Sequence, residues 1–235
     1  MSAPPLSAAD WDIITLSLKV SLAAVLLTLP FAFAIAWVLA RGRFPGKLLL
    51  DAAVHLPLVL PPVVIGWLLL LALGPAGPVG ELLDRWFGVS VMFRWTGAAI
   101  AAGVMALPLM VRAIRLSIEA IDGRIEDAAR TLGAGPGWCF LTILLPLSLP
   151  GVATAFILGF ARSIGEFGAT ITFVSNIPGE TRTLSLAIYS ALQVPGSDAA
   201  VWRLALVSIT LSLGALILSE ALSRRMRAGR NGHVL

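Results

Sequence analysis

Among 235 residues there are one cysteine, one tyrosine and two histidines, and only 13% of positions are charged. A single thiol, Cys139, cannot close an intrachain disulfide and excludes a Cys-rich metal centre. The histidines, His55 and His233, lie far apart and neither belongs to an H-E-x-x-H pair, so a zinc hydrolase site lacks its ligands. His55 reads as a polar residue in helix packing. A phosphate-binding loop needs G-x-x-x-x-G-K-[ST], whose backbone amides and lysine cradle phosphates. The glycine clusters GPAGPVG (74–80) and GAGPG (133–137) lack the Lys-Ser/Thr and follow no expected strand. There is no G-x-S-x-G elbow either. No catalytic, cofactor-binding or metal-binding residue is expected, and the chain does not read as an enzyme.

Apolar residues, by contrast, are in excess. They make up 58% of the chain, with a mean hydropathy of +0.92; a soluble domain is nearer half apolar and about a quarter charged. That balance indicates a membrane protein. The isoelectric point near 10.2 raises the question of nucleic acid. The net charge is only +4, however, and the one dense basic run is the tail at 224–230. Nucleic acid is therefore not an expected partner; the lysines and arginines read as anchors of cytoplasmic loops. The start, MSAPPLSAADWD, has no basic residue ahead of the first apolar run, so it does not resemble a cleaved signal peptide. Residues 1–11 are expected to form a short exposed tail, 12–223 one membrane domain, and 224–235 a basic cytoplasmic tail.

A bilayer core of about 30 Å needs roughly 20 apolar residues per helix. Five segments qualify, at about 19–40, 53–73, 95–115, 145–165 and 203–222, whereas LSLAIYSALQV (184–194) is too short to span. The expected fold is all-α, because backbone polar groups in lipid must be satisfied within the segment and the alternating pattern of a barrel is missing. Charge then sets direction. Arg41, Arg43 and Lys47 follow the first span; Arg112, Arg115, Arg124 and Arg130 lie between the third and fourth; Arg224, Arg225, Arg227 and Arg230 follow the fifth. These are eleven of the 17 basic residues, which places the N-terminus outside and the C-terminus in the cytoplasm.

The stretch 121–146 obeys neither membrane nor soluble rules. Ile121, Ile125, Ala128 and Leu132 form one apolar stripe at helical spacing, with Asp122, Glu126 and Arg130 on the other side. Gly133 suits a left-handed helix end and Pro136 stops continuation. A short amphipathic helix over about 121–135 follows, lying on lipid or docked on a partner. The small Ala128 and Ala129 weaken the lipid reading, since a lipid-facing side favours Leu, Phe or Trp. Ile143 to Pro146 then lead the chain back into the membrane.

This run resembles the cytoplasmic signature of ABC-importer permeases, E-A-A-x3-G-x9-I-x-L-P. Here it reads Asp127-Ala128-Ala129, Gly133, then Ile143, Leu145 and Pro146 at the same spacing. The first position is Asp127, with Glu126 just before it, which leaves open which carboxylate serves. The resemblance implies a type I ABC importer transmembrane domain whose coupling helix inserts into a separate ATPase subunit, present in two copies.

A second stretch, ARSIGEFGATITFVSNIPGETRTLSLAIY (161–189), holds ionisable residues at membrane depth, where they are costly and raise a functional question. Arg162 and Glu166 stand at i, i+4, so they form either an ion pair at the outer end of the fourth span or a gate. Ser163, Thr170, Thr172, Ser175 and Asn176 add neutral hydrogen-bonding groups suited to a tetrahedral oxyanion. GEFGATITFVSNIPGETRTL, HLPLVLPPVVIGWLLL (55–70) and SLKVS together resemble, over nearly the whole chain, the permease subunit of molybdate ABC importers. That implies molybdate import across a bacterial inner membrane by a homodimer fed by an extracytoplasmic binding protein. Tungstate is nearly identical in shape and charge. Sulfate/thiosulfate permeases are similar around ARSIGEFGA, and a self-contained secondary anion transporter is the reading from another class. Prolines 57, 61, 62, 108, 146 and 150 permit kinks, whether for motion or for packing of bent helices.

Overall fold

A computed structural model describes residues 6–231, with the side chains of Ser219 and of 222–231 left aside. Residues 1–5 of the expected N-terminal tail, and 232–235 of the expected basic tail, lie outside the described residues. The described backbone is helical and holds no strand. Helix α1 (Ala8–Arg41) begins well before the first apolar run. Ser7 and Asp10 form a reciprocal capping box, which nucleates the helix there. Residues 8–11 therefore belong to the helix and not to a tail, and Asp10 is buried against Arg203, 3.2 Å away.

Among the described residues, four helices are long and apolar enough to cross a membrane: α1, α5 (Trp95–Glu119), the continuous run 136–164, and α11 (Asp198–Asn231) over Asp198–Leu218. The fifth expected span, 53–73, is not one straight helix. It starts earlier, as α2 (Lys47–Val59), and turns by 116° into α3 (Pro62–Leu73). The break has a local cause. Leu60 precedes a proline and is forced out of the helical region to ψ 144°, Pro61 follows at ψ 134°, and Pro62 then suits the first turn of α3. Of the prolines noted as possible kinks, this adjacent pair breaks a span, whereas Pro108 and Pro150 sit inside continuous helices.

Irregular backbone at membrane depth survives only where protein covers it. At this break α9 (Gly168–Val174) packs against one side, while Val59, Pro61 and Pro62 stay exposed on the other. A Cβ at Gly168 would come 2.7 Å from Pro62 Cβ, and one at Gly66 would come 2.6 Å from the Ala169 carbonyl oxygen. Glycine at both positions lets α3 and α9 pack backbone to backbone beside the break.

The centre of the molecule is α5. Its first half presents Ala98, Ala99, Ala101, Ala102 and Ala106, all buried, so neighbouring backbones approach closely. Its second half buries Met110, Val111, Ile114 and Ile118 against Val25, Ala32, Ala36 and Leu39 of α1 and Ala155 of α8 (Leu145–Ile164). A short amphipathic helix, α4 (Pro78–Phe87), lies between α3 and α5. The stretch too short to span forms α10 (Leu184–Leu192), packed among Ile14 of α1 and Leu204 of α11. Its Leu184 N–H donates to Ser17 Oγ at 2.7 Å, a buried tie to α1. Outward, α11 leaves Trp202, Ile209, Leu213, Ile217 and Leu218 exposed, as suits a lipid or helix neighbour.

Candidate functional site

The docking stretch folds as a short helix, α6 (Gly123–Thr131), just past the end of α5. Asp122 caps it, its Oδ1 accepting the Arg124 N–H at 3.0 Å. At the far end Gly133 N–H donates to the Arg130 carbonyl and Ala134 N–H to the Ala129 carbonyl, both at 3.0 Å. That double pattern is a Schellman end, and it requires the left-handed residue found at Gly133, φ +89°. The expected apolar stripe exists, but the protein covers only its first member. Ile121 is buried, while Ile125 is 46% and Leu132 89% exposed and Ala128 is open. No residue of α6 is buried. The two acidic candidates separate. Glu126 turns back to its own protein, its Oε1 lying 2.8 Å from Arg41 Nη2 at the end of α1. Asp127 is exposed and carries no such tie.

Return to the membrane begins at Pro136, earlier than the Ile143–Pro146 segment expected to lead it. A first turn, α7 (Pro136–Cys139), runs through a π-helical turn (Phe140–Leu144) into α8. Pro146 has no N–H to give the Thr142 carbonyl, and the ladder slips to the wider spacing just before it, Leu145 N–H reaching the Phe140 carbonyl. Ile143 and Leu145 are half-buried here and Pro146 is exposed. Phe140 packs edge-on against Phe33 and Trp37 of α1, with ring centres 5.9 and 5.6 Å apart, so the new helix is pegged to the same helix that holds Glu126.

At the other end of α8, Arg162 Nη1 lies 2.6 Å from Glu166 Oε2. The pair foreseen at i, i+4 is present, but it is not a surface pair: Glu166 is 3% exposed. Its second oxygen, Oε1, accepts the Ala169 N–H at 2.9 Å and so caps α9. Glu166 thereby fixes the corner from which α9 packs on α3. Ser163 and Thr170 are buried, and Thr172 Oγ1 donates to its own helix at the Gly168 carbonyl. Ser175 stands at φ +64°, a strained backbone for a residue with a Cβ. Asn176 Oδ1 accepts from Arg182 Nε at 3.0 Å, and its amide donates to Ser190 Oγ. Of the seven candidates, Arg162, Glu166, Thr172 and Asn176 have polar groups engaged within the protein, whereas Ser163 Oγ is buried without a hydrogen-bond partner.

Sequence reading passed over three residues that this geometry brings forward. Arg41, Lys19 and Arg182 counted there only toward orientation or not at all. Their partners lie 85, 76 and 6 residues away, at Glu126, Trp95 and Asn176, and the two long separations leave no local pattern to read.

A family model described as "Binding-protein-dependent transport system inner membrane component" matches residues 13–228. The chain belongs to this family. Over 223 residues it is 57% identical to the molybdenum transport system permease protein ModB of Escherichia coli (strain K12), covering 94% of this chain and 97% of that one. It is 37% identical over 205 residues to the sulfate transport system permease protein CysT of the same organism, covering 86% and 73%. A crystal structure of a bacterial ABC transporter involved in import of the acidic polysaccharide alginate superposes with a TM-score of 0.72 at 20% identity, covering 94% of this chain and 80% of that chain. At that identity the likeness concerns the fold alone. The inner membrane component is thus an all-α, multi-pass protein of the type I ABC importer fold.

Proposed function

We propose that this chain is the permease subunit of an ATP-driven importer that carries molybdate across the bacterial inner membrane. It acts as a homodimer, with two copies of a separate ATPase subunit on the cytoplasmic side and an extracytoplasmic binding protein outside. The uncovered face of α6 is the observation that carries the coupling role. A helix rigidly capped at both ends, held to the body through Glu126 and Arg41, yet leaving Ile125, Ala128 and Leu132 open, is built to enter another protein. ATP hydrolysis resides in that partner.

The acidic contact falls to Asp127, because Glu126 is committed to Arg41. Ala128 and Ala129 allow close approach, and Gly133 ends the helix so that Ile143, Leu145 and Pro146 re-enter beside it. Closure of the ATPases moves α6; Arg41 and the Phe140 contacts pass that movement to α1. At the opposite end the Arg162–Glu166 corner, with Ser163, Thr170, Thr172, Ser175 and Asn176, holds α9 on the broken span, and this α3–α9 pair is the moving part of the path. The basic residues support an outside N-terminus and a cytoplasmic C-terminus.

For the substrate, identity to the molybdenum permease exceeds identity to the sulfate permease across a longer stretch, which supports molybdate. Tungstate has the same shape and charge, and competition separates them. The test is uptake of labelled molybdate into vesicles containing the whole complex, with sulfate and tungstate as competitors. ATP-dependent uptake that needs the binding protein is expected. Uptake without the ATPase would overturn the reading in favour of a self-contained anion transporter.

A further inference from the structure

Beside the loop that follows α9 lies a cavity of about 400 Å³ lined by Asp12, Leu16, Lys19, Pro178, Gly179 and Arg182, among others. It opens at the end of the molecule where α1 begins, which is the outer end in the orientation proposed above. Two cations and one carboxylate line it.

Those two cations differ from Arg85, Arg162 and Arg203, each of which has a carboxylate partner. Arg85 is paired with Glu81, Arg162 with Glu166 and Arg203 with Asp10. Lys19 and Arg182 are positioned instead by neutral groups. Lys19 Nζ stands 3.9 Å above the ring of Trp95, a contact that orients the ammonium without cancelling its charge. It does so about three turns into a spanning helix, where an ionisable group is costly and its retention needs a reason. Arg182 donates through Nε to Asn176 Oδ1, and Asn176 is held in turn by Ser190. That bond occupies Nε, and the half-buried side chain lines the cavity.

The loop is braced to keep this arrangement. Thr181 Oγ1 donates to the Ser175 carbonyl at 3.0 Å and accepts the Ile177 N–H at 2.8 Å. Thr181 is fully buried, and the strained Ser175, φ +64°, sits at the start of the loop. Strain retained in a well-bonded loop beside a cavity is a pattern of ligand clamps.

We propose that this cavity is a reception site for a tetrahedral oxyanion on the outer face, with the Nη groups of Arg182 and the ammonium of Lys19 as its ligands. The proposal rests on the reading of the chain as an oxyanion importer. A planar fork and a point charge together suit an anion with several equivalent oxygens. Asp12, the lone carboxylate in the lining, keeps the net charge low, so the anion is held weakly enough to move on.

Uptake of labelled molybdate by the reconstituted complex, with ATP hydrolysis measured in the same vesicles, tests the site. Arg182→Gln and Lys19→Gln are each expected to slow uptake about tenfold, while hydrolysis stimulated by the binding protein stays at the wild-type rate. Arg182→Lys, which keeps the charge and loses the fork, falls between. A second measurement leaves both cations in place. Ala9 lines the cavity and the native Cys139 is buried, so Ala9→Cys supplies an accessible thiol whose labelling by a maleimide should slow in molybdate and not in chloride of equal ionic strength. Wild-type uptake in the double glutamine variant, or no protection beyond chloride, overturns the proposal. A parallel fall in uptake and stimulated hydrolysis overturns it in favour of a contact with the binding protein. If the wild-type complex carried no molybdate, the substrate reading would fall, and protection by sulfate or its absence would still decide the site.

Discussion

Arg41, the last residue of α1, places Nη2 2.8 Å from Glu126 Oε1 and 3.2 Å from the Ile121 carbonyl, so one guanidinium holds both the start and the middle of the docking element. The same α1 is tied at its other end through Asp10 to Arg203 and through Ser17 to Leu184. A helix of 34 residues spans about 51 Å at 1.5 Å per residue. It therefore links the α6 end of the molecule to the end where α10 and α11 pack, as one rod.

Breaking the Arg41–Glu126 tie should loosen coupling more than stability. Both side chains are partly exposed, and such a pair contributes about 1 kcal/mol; for a chain of this size that lowers Tm by only about 2–4 °C. Arg41→Ala and Glu126→Ala are each expected to raise the ATP hydrolysed per molybdate imported, and the charge-reversed pair Arg41→Glu with Glu126→Arg to recover part of the loss. An unchanged ratio in both single variants would show that α1 is not the transmission element.

Gly133 gives a sharper test of the docking helix. Proline cannot adopt φ +89°, so Gly133→Pro dissolves the Schellman end and should abolish stimulated hydrolysis in the complex. Gly133→Asn, which tolerates the left-handed region, should retain most of it. Ala129→Asp, adding a charge where a partner approaches, should fail like the proline variant. Full stimulation in Gly133→Pro would remove α6 as the contact.

What could be read beforehand follows how local each cause is. The limits of α6 were legible because Asp122, Gly133 and Pro136 act on their own backbone. The apolar runs were legible because span length is set by the bilayer. The break at Leu60 was missed although its cause is local. Two prolines inside an apolar run announce a kink, but how far it turns is set by α9, which lies more than 100 residues on and packs through Gly66 and Gly168. The early start of α1 was written in the capping box Ser7–Asp10, which hydropathy ignores. Burial of Glu166 was not legible at all, since spacing shows that Arg162 can reach it and says nothing of what covers the pair.

That burial changes what exchange of the pair should do. If Arg162 and Glu166 merely attracted one another, swapping them would preserve transport. Glu166 Oε1 also accepts the Ala169 N–H, and an arginine at 166 would set donor against donor. The swapped protein is expected to lose uptake, and Glu166→Ala to cost about 1–3 kcal/mol, the cost of leaving the Ala169 N–H without its acceptor. Glu166→Gln keeps an acceptor for Ala169 and should lie between in thermal unfolding. Full uptake in the swapped protein would reduce Glu166 to a simple ion-pair partner.

Orientation has a direct readout. Reporter domains that are active only outside or only inside should place the N-terminus outside and the C-terminus in the cytoplasm, with the loop at 42–46 cytoplasmic. A cytoplasmic N-terminus would invert the assignment of both the docking helix and the cavity at Lys19.

Packing of α3 on α9 leads to the last expectation. A Cβ at Gly66 meets the Ala169 carbonyl oxygen at 2.6 Å and Thr172 Cβ at 2.8 Å, atoms that cannot swing aside as the end of a flexible side chain could. Gly66→Val must therefore push α9 off the broken span or push the span off α9, and overpacking of this kind costs about 1–3 kcal/mol. Because α9 packs directly beside the break after Leu60, the greater effect should be on transport: uptake falls to background while the complex still assembles. Gly214→Ala, whose added methyl meets nothing within 4 Å, should leave uptake unchanged. If Gly66→Val assembled and transported at the wild-type rate, the close contact of α3 and α9 would have no part in the path.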